Sequence, residues 1–200
     1  MKKIILIGAG GHAKSCLDVI LLTKKFKILG FIDIKKNINL LKYKVLGNER
    51  YLKSIKKQST NLHISFGFIN SALKRIKLFN ELKKLNFKFP VIISPKSQVS
   101  KNSTILDGTI VHHLAVINFG AKVGYNSIIN TSAIIEHGVK IGNNCHISTR
   151  AVINGEAEVK DNTFIGSGAV VREGIKIGKN CFIGMGQTVI KNLKDNTIIK

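Results

Sequence analysis

The hydrophobic pattern of this chain has two regimes. From Ile93 to Val189 every sixth residue is Ile or Val without a miss, beginning Ile93, Val99, Ile105, Val111 and ending Ile177, Ile183, Val189. Ile and Val make up about a fifth of the sequence, so a run of this length does not arise by chance. A six-residue period matches neither the 3.6 of a helix nor the 2 of a strand meander. It predicts a hexapeptide β-solenoid, in which short strands coil and stack around one continuous apolar core. Four positions past most anchors the residue is slim, as at Thr109, Ala115, Ala121, Ser127, Ala133, Cys145 and Ala151, with Val139, Ile175 and Gln187 as exceptions. A corner turned every six residues brings backbones together and admits only a small second inward side chain. Gly and Asn follow the anchors, as in Ile141-Gly142-Asn143-Asn144, where tight corners need unusual backbone angles.

Upstream the pattern changes to alternating strand and helix. Lys2 to Gly8 reads as an apolar strand, followed by a glycine turn and a helix through about Thr23. Phe26 to Asp33 is a second strand, Tyr43 to Leu46 a short third, and Asn48 to Lys57 a helix. Leu62 to Phe68 is a further strand, and Ile69 to Leu85 an amphipathic, Lys-rich helix before Phe89 to Ile93 enters the solenoid. Strands alternating with helices predict a small parallel sheet. The expected organisation is an α/β, Rossmann-like half domain over 1–90 followed by an all-β parallel β-helix over 91–200.

Composition narrows the partners. With 32 Lys and Arg against 11 Asp and Glu, the net charge is +21. Such a surplus attracts polyanions or phosphorylated small molecules. Its Lys-rich, Arg-poor make-up in an Ile- and Asn-rich chain also fits a bias in coding composition. No nucleic-acid-binding motif accompanies it, so no nucleic-acid partner is expected. Without an apolar run of transmembrane length or a signal-peptide cleavage site, neither membrane insertion nor export is expected, and residence is taken as cytoplasmic. The cysteines agree: Cys16 is isolated, while Cys145 and Cys181, thirty-six residues apart, would stack two coils and roughly 10 Å from each other, too far for a disulfide.

Gly8-x-Gly10-x-x-Ala13, opening a helix, with Asp33 closing the next strand, satisfies the dinucleotide fingerprint. Glycines let a diphosphate approach the backbone, and the helix start offers N–H donors to negative charge. The first ninety residues lack a second mononucleotide half, so a single nucleotide diphosphate fits better than NAD. His12, at the helix start, is placed to donate to a phosphate.

Gly8-Ala9-Gly10-Gly11-His12-Ala13-Lys14, the strand ending Phe31-Ile32-Asp33, and the solenoid segment Asn130-Thr131-Ser132-Ala133-Ile134-Ile135-Glu136-His137 with His146 nine residues on together resemble the bacterial nucleotide-sugar acetyltransferases. These comprise the UDP-4-amino-sugar N-acetyltransferases and the related sialic acid O-acetyltransferases. The resemblance spans the whole chain. It implies a left-handed β-helix, a homotrimer with active sites between subunits, acetyl-CoA as cosubstrate and no metal. It assigns the general base to His137, and the sugar-nucleotide diphosphate to Gly10, Gly11 and His12. Asp33 and Ile34 fall at the nucleobase site, and Gly67 on the substrate side. For the cofactor it implies His146 near the acetyl group, Gly155 offering an N–H to the thioester oxygen, and Ser167 and Met185 along the pantetheine and nucleotide path. Lys176, Lys179 and Lys191 could meet the cofactor phosphates or lie on solvated surface.

Acetyl transfer to an amine needs the nitrogen lone pair, removal of a proton and stabilisation of the thioester oxygen, and an imidazole suits the proton step. Relatives often carry a carboxylate directly after the catalytic histidine, where this chain has Gly138. Glu136 precedes His137, but neighbours along a strand point to opposite faces. Either an acid from a partner subunit orients His137, or the base is weaker. Three other functions are weighed against amino-sugar N-acetylation: O-acetylation of a sialic-acid-like sugar, a metal enzyme drawing on His112, His113, His137 and His146, and a purely structural solenoid.

Overall fold

The computed structural model describes residues 1–35, 39–40, 42–55 and 59–200. The amino-terminal part is built from β1 (Lys2–Ile7), α1 (Gly11–Thr23), β2 (Phe26–Ile32), β3 (Asn39–Leu40), β4 (Tyr43–Gly47), β5 (Thr60–Ile64) and α2 (Leu73–Lys84). The sheet order is β3-β4-β2-β1-β5, parallel throughout except for the β3–β4 pair. That antiparallel edge differs from the purely parallel sheet expected. The helix expected over Asn48 to Lys57 is a 3-10 turn, Glu49–Ser54, held at its start by Asn48 Oδ1 accepting from Arg50 N at 3.0 Å. Lys56 and Lys57 lie outside the described residues. The strand expected to run to Phe68 stops at Ile64, because Ser65 Oγ donates to the carbonyls of Ile7 and Gly8 and turns the chain across the end of β1.

From Ile92 onward the chain is a parallel β-helix of two-residue strands. Each strand pairs with the one 18 residues on, as Val116 with Ile134, Lys122 with Lys140 and Ile128 with His146, so three hexapeptides complete one coil. The Ile/Val anchors from Val111 to Val189 form, with Ala115, Ala121, Ala133, Cys145 and Ala151, a continuous buried core, against which Val99 and Ile105 pack half-buried, while Ile93 at the open end is exposed. Spacing tightens only at the end, where Ile177 meets Leu193 and Phe182 meets Ile198, sixteen residues on. Cys145 and Cys181 are free thiols in a buried column of small polar side chains, with Ser127 and Thr163, each reaching a carbonyl of the next coil.

The three faces differ in their outward residues. The first carries Ile92, Ile110, Ile128, His146, Phe164 and Phe182, the second Gln98, Val116, Ile134, Val152, Val170 and Thr188, and the third Thr104, Lys122, Lys140, Glu158 and Lys176. On the first face Ile92, Ile110 and Ile128 bury against Ala13, Cys16, Leu17 and Ile20 of α1, which joins the two halves of the chain in one core. No helix among the described residues is long and apolar enough to cross a membrane.

Candidate active site

β1 has β2 on one side and β5 on the other, so the chain reverses direction in the sheet at its carboxyl end. Such a switch point opens a crevice that binds ligands. Here it holds a cavity of about 520 Å³ lined by Gly8, Gly10, Asp33, Ile34, Arg50 and Lys74 among others. Gly8 has φ +101°, a conformation that suits glycine, and it lets the chain leave β1 beneath Phe66. At Gly10 and Gly11 a Cβ would meet nothing within 4 Å, so the turn lies open to a ligand. At the start of α1, Ala13 N donates back to the Gly10 carbonyl at 3.1 Å, while the N–H groups before it have no residue four back in the helix to accept them. Asp33 is fixed by accepting from Ala9 N at 2.8 Å and Lys35 N at 2.9 Å. Burial pushes its carboxyl up, but the N–H groups of Lys35, Ala9 and Ile34 and the Lys35 charge outweigh it, and the net shift is downward.

A second cavity of about 580 Å³ shares Phe66 and Lys74 with the first and is lined by His12, Gly67, Phe68, Arg75 and His146. Gly67 lies beside both imidazoles: a Cβ there would be in ordinary van der Waals contact, 3.4 Å from His146 Cε1 and 3.8 Å from His12 Cγ. His146 Nδ1 donates to the Phe68 carbonyl at 2.8 Å, which leaves Nε2 beside Asn130 Nδ2 at 3.4 Å. Arg75 is buried and holds the chain in place by donating to the carbonyls of Ile64, Phe66 and Asn126. Burial depresses all the surrounding imidazoles, with His12 held at about 3 and His112 and His146 at about 4. The positive charges of neighbouring histidines and Arg75 add to the effect at His12. His63, wholly buried, is pushed well below its ordinary value by the same causes.

Donor atoms of His12, Cys16 and His112 lie within 4.8 Å of one another, which is close enough for a metal. Burial pushes the Cys16 thiol up to about 12, and the nearby Arg75 guanidinium opposes a cation. The group therefore reads as a neutral polar cluster. The four histidines weighed for a metal enzyme do not converge. His113 pairs with Asp18 at 2.9 Å, and His137 lies elsewhere.

His137 occupies the corner between the second and third faces, on the edge opposite the first face where His12, Gly67 and His146 gather. It is 66% exposed, so its ring is free to meet a ligand. One coil on, Gly155 seats the ring: a Cβ there would lie 2.6 Å from both Cε1 and Nε2. Glu156 Oε1 lies 3.8 Å from His137 Nδ1. Glu136 is engaged away from the ring, accepting from Asn118 Nδ2 at 2.8 Å. Ser167 and Met185 lie on the remaining corner that flanks the second face, with Ser167 Oγ 3.0 Å from Ser148 Oγ and Met185 80% exposed. Within one chain the assigned residues therefore form three groups: Gly10, Gly11, His12, Asp33, Ile34, Gly67 and His146 at the crevice, Ser167 and Met185 on one edge, and His137 with Gly155 on the other.

Sequence reasoning missed Arg50, Lys74, Arg75 and Glu156. The signal for Lys74 and Arg75 is their place at the start of the helix after Gly67, in the same crevice as the first glycine turn. For Glu156 it is the 18-residue coil period, which stacks it on Gly138.

Residues 3–82 match the PglD N-terminal domain, residues 120–154 the hexapeptide repeat of succinyl-transferase, and residues 156–190 the bacterial transferase hexapeptide. Among solved structures, the acetyltransferase domain of PglB from Neisseria gonorrhoeae is similar with TM-score 0.93 and 25% identity, over 99% of this chain and 96% of that one. The same domain in complex with acetyl coenzyme A gives 0.92 and 25%, over 98% and 95%. PerB from Caulobacter crescentus, in complex with CoA and GDP-perosamine, gives 0.90 and 26%, over 99% and 93%. Comparison with curated proteins by sequence returns no match. A PglD-type domain followed by hexapeptide repeats is the architecture of these sugar acetyltransferases. The chain shares that architecture along its length, and it is an acetyltransferase.

Proposed function

We propose that this chain transfers the acetyl group of acetyl-CoA to the amine of a nucleotide-linked 4-amino-4,6-dideoxy sugar, with His137 as general base, in a cytoplasmic step of glycan biosynthesis. The observation that carries the reading is the pairing of a nucleotide-type crevice, open over Gly10 and Gly11, with an exposed imidazole seated on Gly155 of the β-helix. The ligands of the similar structures, acetyl coenzyme A in one and CoA with GDP-perosamine in another, support the two substrates. In this reading the diphosphate lies over the Gly10–His12 turn, with Lys74 and Arg50 as further cationic partners, and Asp33 and Ile34 face the base. The amine nitrogen attacks the thioester carbonyl, the C–S bond breaks and the CoA thiolate leaves. With Nδ1 turned toward Glu156, Nε2 receives the amine proton. The Gly155 N–H meets the developing oxyanion, and Ser167 and Met185 flank the pantetheine.

Because His137 and the crevice lie on opposite sides of one chain, the reading requires a second copy, in a homotrimer. Val116, Ile134, Val152 and Val170 of the second face are only half-buried in the single chain and form the surface through which copies meet. The test is a thiol-release assay with acetyl-CoA against UDP-, GDP- and CMP-linked amino sugars and free sialic acids. Release is expected with a 4-amino sugar nucleotide, and His137→Ala is expected to lower kcat by about 10² to 10⁴ without loss of folding. Release with hydroxyl acceptors alone would replace N- by O-acetylation, and full activity of His137→Ala would remove it from the mechanism.

A further inference from the structure

Corner residues 18 positions apart stack along each edge of the helix. On the edge of His137 that column reads Gly120, Gly138, Glu156, Gly174, with φ of +74°, +68°, +59° and +67°. Glu156 is the one residue of the four with a side chain, in a conformation that L residues disfavour. Its carboxylate occupies the space a side chain on Gly138 would fill, since a Cβ built there collides with Oε1. From that place Oε1 faces His137 Nδ1 at 3.8 Å, and Glu156 N donates to the His137 carbonyl at 3.0 Å, fixing the two coils in register.

We infer that Glu156 is the positioning residue of His137: reaching back one coil into the space left by Gly138, its carboxylate holds the proton on Nδ1 and leaves Nε2 as the base. This rests on the reading of His137 as general base. A carboxylate so placed fixes the imidazole tautomer and stabilises the imidazolium that forms when the amine proton arrives. The separation is that of an ion pair longer than a hydrogen bond, and catalytic contacts of this kind commonly tighten when substrate binds.

The test uses the full chain in the acetyl-transfer assay. Glu156→Gln keeps the shape and removes the charge, and kcat is expected to fall about 10- to 100-fold with little change in either KM. Gly138→Glu alone is expected to impair activity, because its side chain meets Glu156. The double variant Gly138→Glu, Glu156→Gly moves the acid by one coil and is expected to recover most of the kcat that Glu156→Gly loses. Unchanged kcat in Glu156→Gln and Glu156→Gly, while His137→Ala is inactive, would overturn the inference and leave the base in place. Retained activity in His137→Ala would overturn the base itself, and this inference with it.

Discussion

A single missing side chain decides the geometry at His137. The imidazole rests on the bare Cα of Gly155, and a methyl group there would come within 2.6 Å of Cε1 and Nε2, closer than carbon atoms approach. Gly155 is not in the left-handed region, so Ala is acceptable to its backbone and the whole effect falls on the ring. Gly155→Ala is therefore expected to fold normally and lose about 10-fold or more in kcat, as small displacements of reacting groups do. Combined with His137→Ala it should add nothing further, because the ring it displaces is already gone. Kinetics of the two single variants and the double variant check this. Independent, additive losses would show that the added methyl group disturbs something other than the ring, such as the aim of the Gly155 N–H.

At the level of elements, the junction of α1, β5 and the first face is held by uncharged imidazoles. His12, His63, His112 and His146 all have their pKa values lowered by burial. Each is neutral when folded and takes up a proton on unfolding once the pH falls below the free-histidine value. Their contribution is thus fully present above about pH 6.5 and is lost as pH falls toward 4 and below, at up to about 1.4 kcal/mol per pH unit for each histidine. Urea unfolding at about pH 7.5 and 5.5 should show a clear loss of stability at the lower value. A level midpoint across that range would mean the imidazoles are already charged or exposed in the native state. This cluster was hardly legible in the sequence, where His63 carries no motif and His112 is one corner residue among many. The solenoid was legible throughout, because its 18-residue coil writes itself into the anchors. What the anchors do not carry is the face each outward residue belongs to, and that emerges only when residues are read 18 apart. Ile92, Ile110 and Ile128 then mark the docking face for α1, and Lys122, Lys140 and Lys176 the solvated one. The 3-10 turn at Glu49–Ser54 was missed because the same residues suit one helical turn or several, and the outcome depends on tertiary packing.

For the whole molecule, the separation of His137 from the crevice is itself a prediction about assembly. The first face carries the α/β domain, and the edge bearing His137 lies opposite it, so on the proposed reading one chain does not bring its own His137 to its own crevice. Association through the half-buried Val116, Ile134, Val152 and Val170 would place the edge of one copy beside the crevice of the next. Two variants that are each inactive then become informative when mixed. His137→Ala lacks the base but keeps the crevice. Gly10→Glu keeps the base but sets a carboxylate where the diphosphate would lie, at a position with nothing within 4 Å to disturb the fold. In oligomers formed by co-expressing the two, a working site needs its base from a Gly10→Glu chain and its crevice from a His137→Ala chain. Random assembly at equal amounts makes about one site in four of this kind, so about a quarter of wild-type turnover should return. No recovery from mixed oligomers, with either variant inactive alone, would mean that base and crevice belong to the same chain after all, and that the hinge between its two halves must swing much further than the packed interface of α1 with Ile110 and Ile128 allows.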